Sequence, residues 1–98
     1  MAQFDVHRLG SGDFVLDCQS DCVDFLETRL VVPLLNPDLV PSAIKGLHPR
    51  FKVDGQELLM ATHLATAVPR RELAEPVQSL EAQRYAILNA LDFLITGV

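Results

Sequence analysis

Phe51-Lys52-Val53-Asp54-Gly55-Gln56-Glu57-Leu58-Leu59-Met60 reads as two short strands closed by a two-residue turn. Asp-Gly is the signal for a type I′ turn, because both central positions need positive φ, which aspartate tolerates and glycine adopts freely. The turn therefore predicts an antiparallel hairpin and, with it, a sheet of antiparallel pairs.

Upstream, residues 28–35 hold Leu30, Val31, Val32, Leu34 and Leu35, a nearly continuous aliphatic run expected of a strand buried on both faces or at a dimer interface. Pro33 removes one amide donor from that run and predicts an edge or a bulge at its end. Residues 3–9 and 13–19 carry Phe4, Val6, Phe14, Val15 and Leu16 on either side of Gly10-Ser11-Gly12, a second hairpin whose glycines suit a tight turn. Residues 36–49 contain Pro37, Pro41, Gly46 and Pro49, a density of breakers that predicts a long loop or a short subsidiary sheet.

Downstream, residues 62–68 predict one more strand, stopped by Pro69. Beyond residue 77 the apolar period changes. Leu80, Ile87, Leu88, Leu91, Leu94 and Ile95 fall along one side of a helix, opposite Glu81, Gln83, Arg84, Asn89 and Asp92. Ser79 stands where an N-cap hydroxyl belongs, Glu81 suits the positive end of the dipole, and Gly97 lies just past the last turn. Leu94 and Ile95 are expected to dock that last turn into the core. The order is five or six strands and then one terminal helix, in a single domain covering residues 1–98.

The chain of 98 residues is 49% hydrophobic and 21% charged, too apolar for a disordered segment, and so small a domain leaves much of its surface in water. Cover by a partner or a second copy is expected, which makes a homodimer the natural assembly. Thirteen acidic against eight basic residues give a net charge of −5, which repels phosphate backbones. No apolar run approaches the ~20 residues of a membrane span. Met1-Ala2-Gln3-Phe4-Asp5 lacks a basic segment leading into an apolar one, so the expectation is a cytoplasmic protein with no membrane partner.

Residues with chemical potential are few. Cys18 and Cys22 have neither the redox spacing nor the second pair a zinc site requires, and read as reduced thiols. His7, His48 and His63 are far apart in sequence and read as ordinary surface or half-buried imidazoles. Ser20 beside Asp21 has no histidine near it in sequence and reads as a turn cap, not a nucleophile. Arg70-Arg71-Glu72 reads as a solvated charge cluster, with contact to a partner as the other reading. No catalytic set, metal site or cofactor is expected.

Taken in order, Phe14-Val15-Leu16-Asp17-Cys18-Gln19-Ser20-Asp21-Cys22-Val23-Asp24 and Thr28-Arg29-Leu30-Val31-Val32-Pro33-Leu34 resemble a pattern of the CcdB family of toxin–antitoxin toxins. That pattern is an aromatic-led strand, a Gln-Ser-Asp turn, and an Arg-aliphatic strand ending in Pro-Leu. The likeness continues through Leu47-His48-Pro49, Asp54-Gly55, Leu59-Met60-Ala61-Thr62, Ala67-Val68-Pro69, and a helix with Ile87, Asn89-Ala90 and a final Gly97 plus an aliphatic residue. The resemblance implies a mainly β fold, an SH3-like barrel of antiparallel strands with a C-terminal α-helix. It further implies a homodimer that binds the DNA gyrase A subunit, traps the gyrase–DNA cleavage complex, is neutralised by a CcdA-type antitoxin, and takes part with that antitoxin in transcription regulation. No direct nucleic-acid binding without the antitoxin is expected.

By the same resemblance, the gyrase-contacting positions are Ser20, Cys22 and Val23 in the turn, and Asp92, Thr96, Gly97 and Val98 at the helix end. Residues that touch the antitoxin are not specified. The family's gyrase poisons carry tryptophan where this chain has Thr96 and asparagine where it has Asp92, so two departures fall within the contact set. Two other functions compete: a non-poisoning CcdB-like protein that keeps antitoxin binding, and an endoribonuclease of the related MazF or Kid type. The negative charge and the missing acid–base set argue against the second.

Overall fold

In the computed structural model, which describes residues 1–97, the Asp54-Gly55 turn closes as its chemistry requires, with φ of 51° at Asp54 and 79° at Gly55. It joins β4 (Arg50–Val53) to β5 (Gln56–Met60) in antiparallel register, Val53 opposite Gln56 and Phe51 opposite Leu58. The second hairpin pairs β1 (Asp5–Arg8) with β2 (Phe14–Asp17), and the expected strand β3 (Thr28–Leu35) follows. Two short strands complete the set, β6 (Thr66–Pro69) and β7 (Pro76–Ser79), before the helix α1 (Arg84–Thr96). The strands run β4-β5-β3-β2-β1-β7 with β6 added beside β3, every pair antiparallel. The architecture is mainly β, a curled half-barrel of seven strands with a C-terminal helix.

Alternation along the strands gives the sheet two apolar faces. Phe14, Leu16, Val32 and Leu34 point to one side, where they meet Phe4, Val6, Val53, Met60 and the buried helix residues Ile87 and Ala90. Each such aliphatic side chain contributes about 1.5–3 kcal/mol through the surface it removes from water. Val15 and Val31 point to the other side and pack with Leu73.

Several local expectations are corrected. Pro33 is neither at an edge nor in a bulge, since β3 is the central strand, with Pro33 opposite Val15 of β2. On its other side β3 pairs with β6 through residues 28–31 and with β5 through Leu34 and Leu35. Pro33 sits in the gap between these partners, and its carbonyl accepts from the Ala61 amide at 2.9 Å. The missing amide thus interrupts no ladder.

Residues 62–68 are not one strand. Thr62–Leu64 forms a 3-10 turn, and β6 begins only at Thr66 and includes Pro69, opposite Thr28. The Thr62 hydroxyl donates to the Leu47 carbonyl, which ties this turn to the preceding loop in place of the ladder. Seven strands lie among the described residues, not five or six. β7 is short, and only Val77 among its residues is a large aliphatic, so its pairing with β1 leaves no periodic trace. Ser79 belongs to the end of β7. Its hydroxyl does accept from the Glu81 amide at 3.2 Å, but a 3-10 turn, Glu81–Gln83, intervenes before α1 starts. Residues 36–49 form a loop with a 3-10 turn at Pro37–Leu39, without a subsidiary sheet. No helix among the described residues is long and apolar enough to cross a membrane.

Candidate functional site

Ser20 ends the segment that leaves β2 and caps a 3-10 turn, Asp21–Val23, accepting from the Cys22 amide at 3.1 Å. This is the capping role its sequence context suggests. The turn is braced from several directions: Asp21 Oδ1 accepts from the Gln3 amide at 2.9 Å, and Gln19 Nε2 donates to the Val23 carbonyl at 3.0 Å. Gln19 Oε1 also accepts from the Leu30 amide at 3.0 Å, so one side chain bridges the turn and β3. Ser20 and Cys22 are exposed and Val23 is half-buried.

The support continues beneath the surface. Arg29 and Asp17 are fully buried and joined at 2.7 Å through Arg29 Nη2, with Arg29 Nε at 2.9 Å from the same carboxylate oxygen. Burial pushes the Asp17 carboxyl above its ordinary pKa, while Arg29 and the Gln19 amide pull against that rise. Arg29 Nη1 and Nε2 of the fully buried His7 have no hydrogen-bond partner. His7 Nδ1 lies 2.6 Å from the Ala74 carbonyl, so this histidine is a core residue and not a surface one.

After the turn, residues 24–27 are held by Arg70, which donates from Nη1 to the Asp24 carbonyl at 2.7 Å and from its amide to the Glu27 carbonyl at 2.9 Å. Arg70 therefore has a specific task that a solvated charge cluster would lack. Phe25, on this loop, is 72% exposed. The sequence reading passed over it, and its signal was an aromatic-aliphatic pair, Phe25-Leu26, between two acids and outside any periodic run.

At the other candidate segment, the helix ends as Gly97 predicts. Gly97 takes φ of 79° and donates its amide to the Phe93 carbonyl at 2.9 Å, closing the last turn in a left-handed cap. The Thr96 hydroxyl donates to the Asp92 carbonyl at 2.7 Å, so its hydrogen is spent within the helix. Asp92, Thr96 and Gly97 are exposed, and Val98 lies outside the described residues.

The expected docking of this turn by Leu94 and Ile95 is overturned, since Leu94 is 43% and Ile95 79% exposed. Phe93 docks it instead, its ring covering Gly46, where an added β-carbon would stand 3.7 Å from the ring. A half-turn of helix separates the Phe93 face from the Ile95 face, so the aliphatic pair is turned outward beside Thr96. No hydrogen bond or ion pair joins the Ser20–Val23 region to the helix end among the described residues.

A third feature was not expected. His48 and His63 are brought together, Nε2 of the first 2.9 Å from Nδ1 of the second, with the rings edge to face. Neither is near the turn or the tail in sequence. Among the described residues, no group of three or more His, Cys, Asp or Glu side chains is placed to hold a metal ion. Two braced, exposed segments carrying apolar side chains are suited to contact with a protein surface. The family model described as CcdB protein matches residues 3–97.

Proposed function

The chain belongs to the CcdB family of toxin–antitoxin toxins, and on that premise we propose that it binds the DNA gyrase A subunit and traps the gyrase–DNA cleavage complex. It acts as a cytoplasmic homodimer, is neutralised by a CcdA-type antitoxin, and regulates transcription together with that antitoxin. The contact set is Ser20, Cys22, Val23, Asp92, Thr96, Gly97 and Val98. Trapping needs no chemistry from the toxin, because a ligand that prefers the cleaved state over the resealed one raises its population in proportion to that preference.

The observation that carries this proposal is the outward pair Leu94 and Ile95 beside Thr96, on a helix end closed by Gly97. Aliphatic side chains turned to solvent on a well-capped helix suit a recognition surface, since little further ordering is required on binding. The test is purified protein with gyrase, ATP and supercoiled plasmid. Linear DNA released by denaturant and protease is the expected product, and its absence at saturating protein would refute the proposal.

A second reading is favoured by Thr96 itself. Its hydroxyl is occupied by the Asp92 carbonyl and its side chain is small, so the helix end has no large anchor of its own. A protein that binds antitoxin without poisoning fits that feature. Thr96→Trp separates the two. A rise in gyrase affinity of about thirtyfold or more supports the poisoning surface, since an anchoring tryptophan contributes about 2 kcal/mol or more. No gain assigns the helix end to another role.

A further inference from the structure

We propose that Phe25 is the aromatic anchor by which this chain engages its target, seated in an apolar pocket of the gyrase A subunit whose rim carries Lys or Arg side chains. The inference rests on the gyrase reading above and adds to it the residue that supplies the missing anchor.

The chain has no tryptophan, one tyrosine and five phenylalanines. Phe4, Phe14 and Phe51 are buried in the main core, and Phe93 covers Gly46. Phe25 alone among the phenylalanines is turned to solvent, at 72% exposure, with Leu26 beside it at 42%. A fully buried aromatic side chain removes roughly 150–250 Å² from water, and the 72% of Phe25 still exposed is the share a partner's pocket can cover.

The loop that presents Phe25 is held in place. Arg70 donates to the carbonyls of Asp24 and Glu27 on either side of it, and the Leu26 amide donates to the Val23 carbonyl at 3.3 Å. The last of these bonds makes residues 24–27 continuous with the Ser20–Val23 turn, so Phe25 extends the same surface. An aromatic side chain on a braced backbone has only two side-chain torsions left to fix on binding, so little conformational freedom is lost there.

The surroundings specify the partner. Asp21, Asp24 and Glu27 are exposed around Phe25 and Leu26, outnumbering the exposed Arg70 guanidinium that sits on the Asp24 and Leu26 carbonyls, so the apolar centre has a border of net negative charge even with Asp21 3.8 Å from Arg29. The complementary surface is an apolar cavity with basic residues at its edge. Tyr85 is the other exposed aromatic, at 76%, but it lies in the first turn of α1, away from the candidate segments in sequence.

The experiment measures the affinity of the purified full chain for the gyrase A subunit by calorimetry, together with Phe25→Ala, Arg70→Ala and Tyr85→Ala, each checked by melting temperature. The expected result is that Phe25→Ala weakens binding by about tenfold or more with unchanged melting. Arg70→Ala weakens it less, and Tyr85→Ala leaves it unaltered. Affinity that falls with added salt supports the basic rim. If the parent chain binds gyrase and Phe25→Ala binds equally well, the anchor is refuted while the gyrase reading stands. If the parent chain neither binds nor traps cleavage, both fall. If Phe25→Ala loses only antitoxin binding, the surface belongs to the antitoxin and the inference is overturned.

Discussion

His48 and His63, fifteen positions apart, share a hydrogen bond of 2.9 Å that pins the loop before β4 to the 3-10 turn after β5. His48 Nδ1 accepts from the Ile44 amide at 2.9 Å, so the His48 proton resides on Nε2 and is donated to His63 Nδ1. The Ile44 amide thereby defines the tautomer of His48.

Burial first, and the neighbouring His63 second, lower the His48 pKa below the ordinary imidazole value of 6.5. The unfolded chain then binds more protons than the folded one in the window just below that value, so stability rises with pH there. Its contribution is complete above the unfolded pKa and is lost as pH falls toward the folded one. Urea unfolding of the parent protein is expected to show a lower midpoint at pH 5.5 than at pH 7.5. His48→Ala should cost about 0.5–1.5 kcal/mol at the higher pH, because the bond from the Ile44 amide is lost. The same substitution should flatten the pH dependence, and a variant that keeps the full slope would assign it to other groups.

The Asp17–Arg29 pair yields a second test, on stability alone. Both side chains are at 0% exposure, so removing either leaves a charge in a place where water cannot reach it. Arg29→Met is expected to cost about 3–5 kcal/mol by denaturant titration. Adding Asp17→Val to that variant should recover most of the loss. Equal and additive losses from the two substitutions would show that packing, not the uncompensated charge, sets the cost.

The two cysteines should differ in reactivity. Burial, reinforced by the charge of Asp17, pushes the Cys18 thiol up to about 12, whereas Cys22 is exposed on its turn. Titration of the native protein with a chromogenic disulfide at pH 8 is expected to release one equivalent promptly, and two after denaturation. Prompt release of two would show that the β2 end opens readily.

Gly97→Ala places a β-carbon at φ of 79°, which disfavours the left-handed cap by about 1–2 kcal/mol. Because the position is exposed and terminal, the expected result is local: a small drop in melting temperature with faster exchange of the amide at position 97. On the proposed contact set, which includes Gly97, gyrase binding should fall by more than the melting shift implies. Unchanged binding would remove the tail from the contact set.

The sequence alone was a sound guide at the Asp54-Gly55 turn, the Ser20 turn and the helix stop, where structure is encoded within a few residues. Asp54-Gly55 determined a type I′ turn because only certain residues take positive φ in succession, and Gly97 determined the helix stop for the same reason. Residues 28–35 formed a strand because their branched side chains favour it, and Ser20 capped its turn because its hydroxyl reaches an amide two positions on. The order of these local signals was enough to identify the family and the mainly β class.

What only the tertiary structure decided depends on who lies opposite whom. Pro33 sits harmlessly in the central strand because β3 changes partners beside it, a fact of pairing that its own neighbours in sequence do not encode. β7 exists because β1 offers it an edge, and His48 meets His63 because two loops converge. The helix stripe was legible, but periodicity treats Phe93, Leu94 and Ile95 alike as apolar, and only the position of Gly46 selects Phe93 for docking and leaves Ile95 outside. The candidate surface is therefore half-written in the chain: its turn and its cap are local, while the residues it exposes are those for which the rest of the fold had no place.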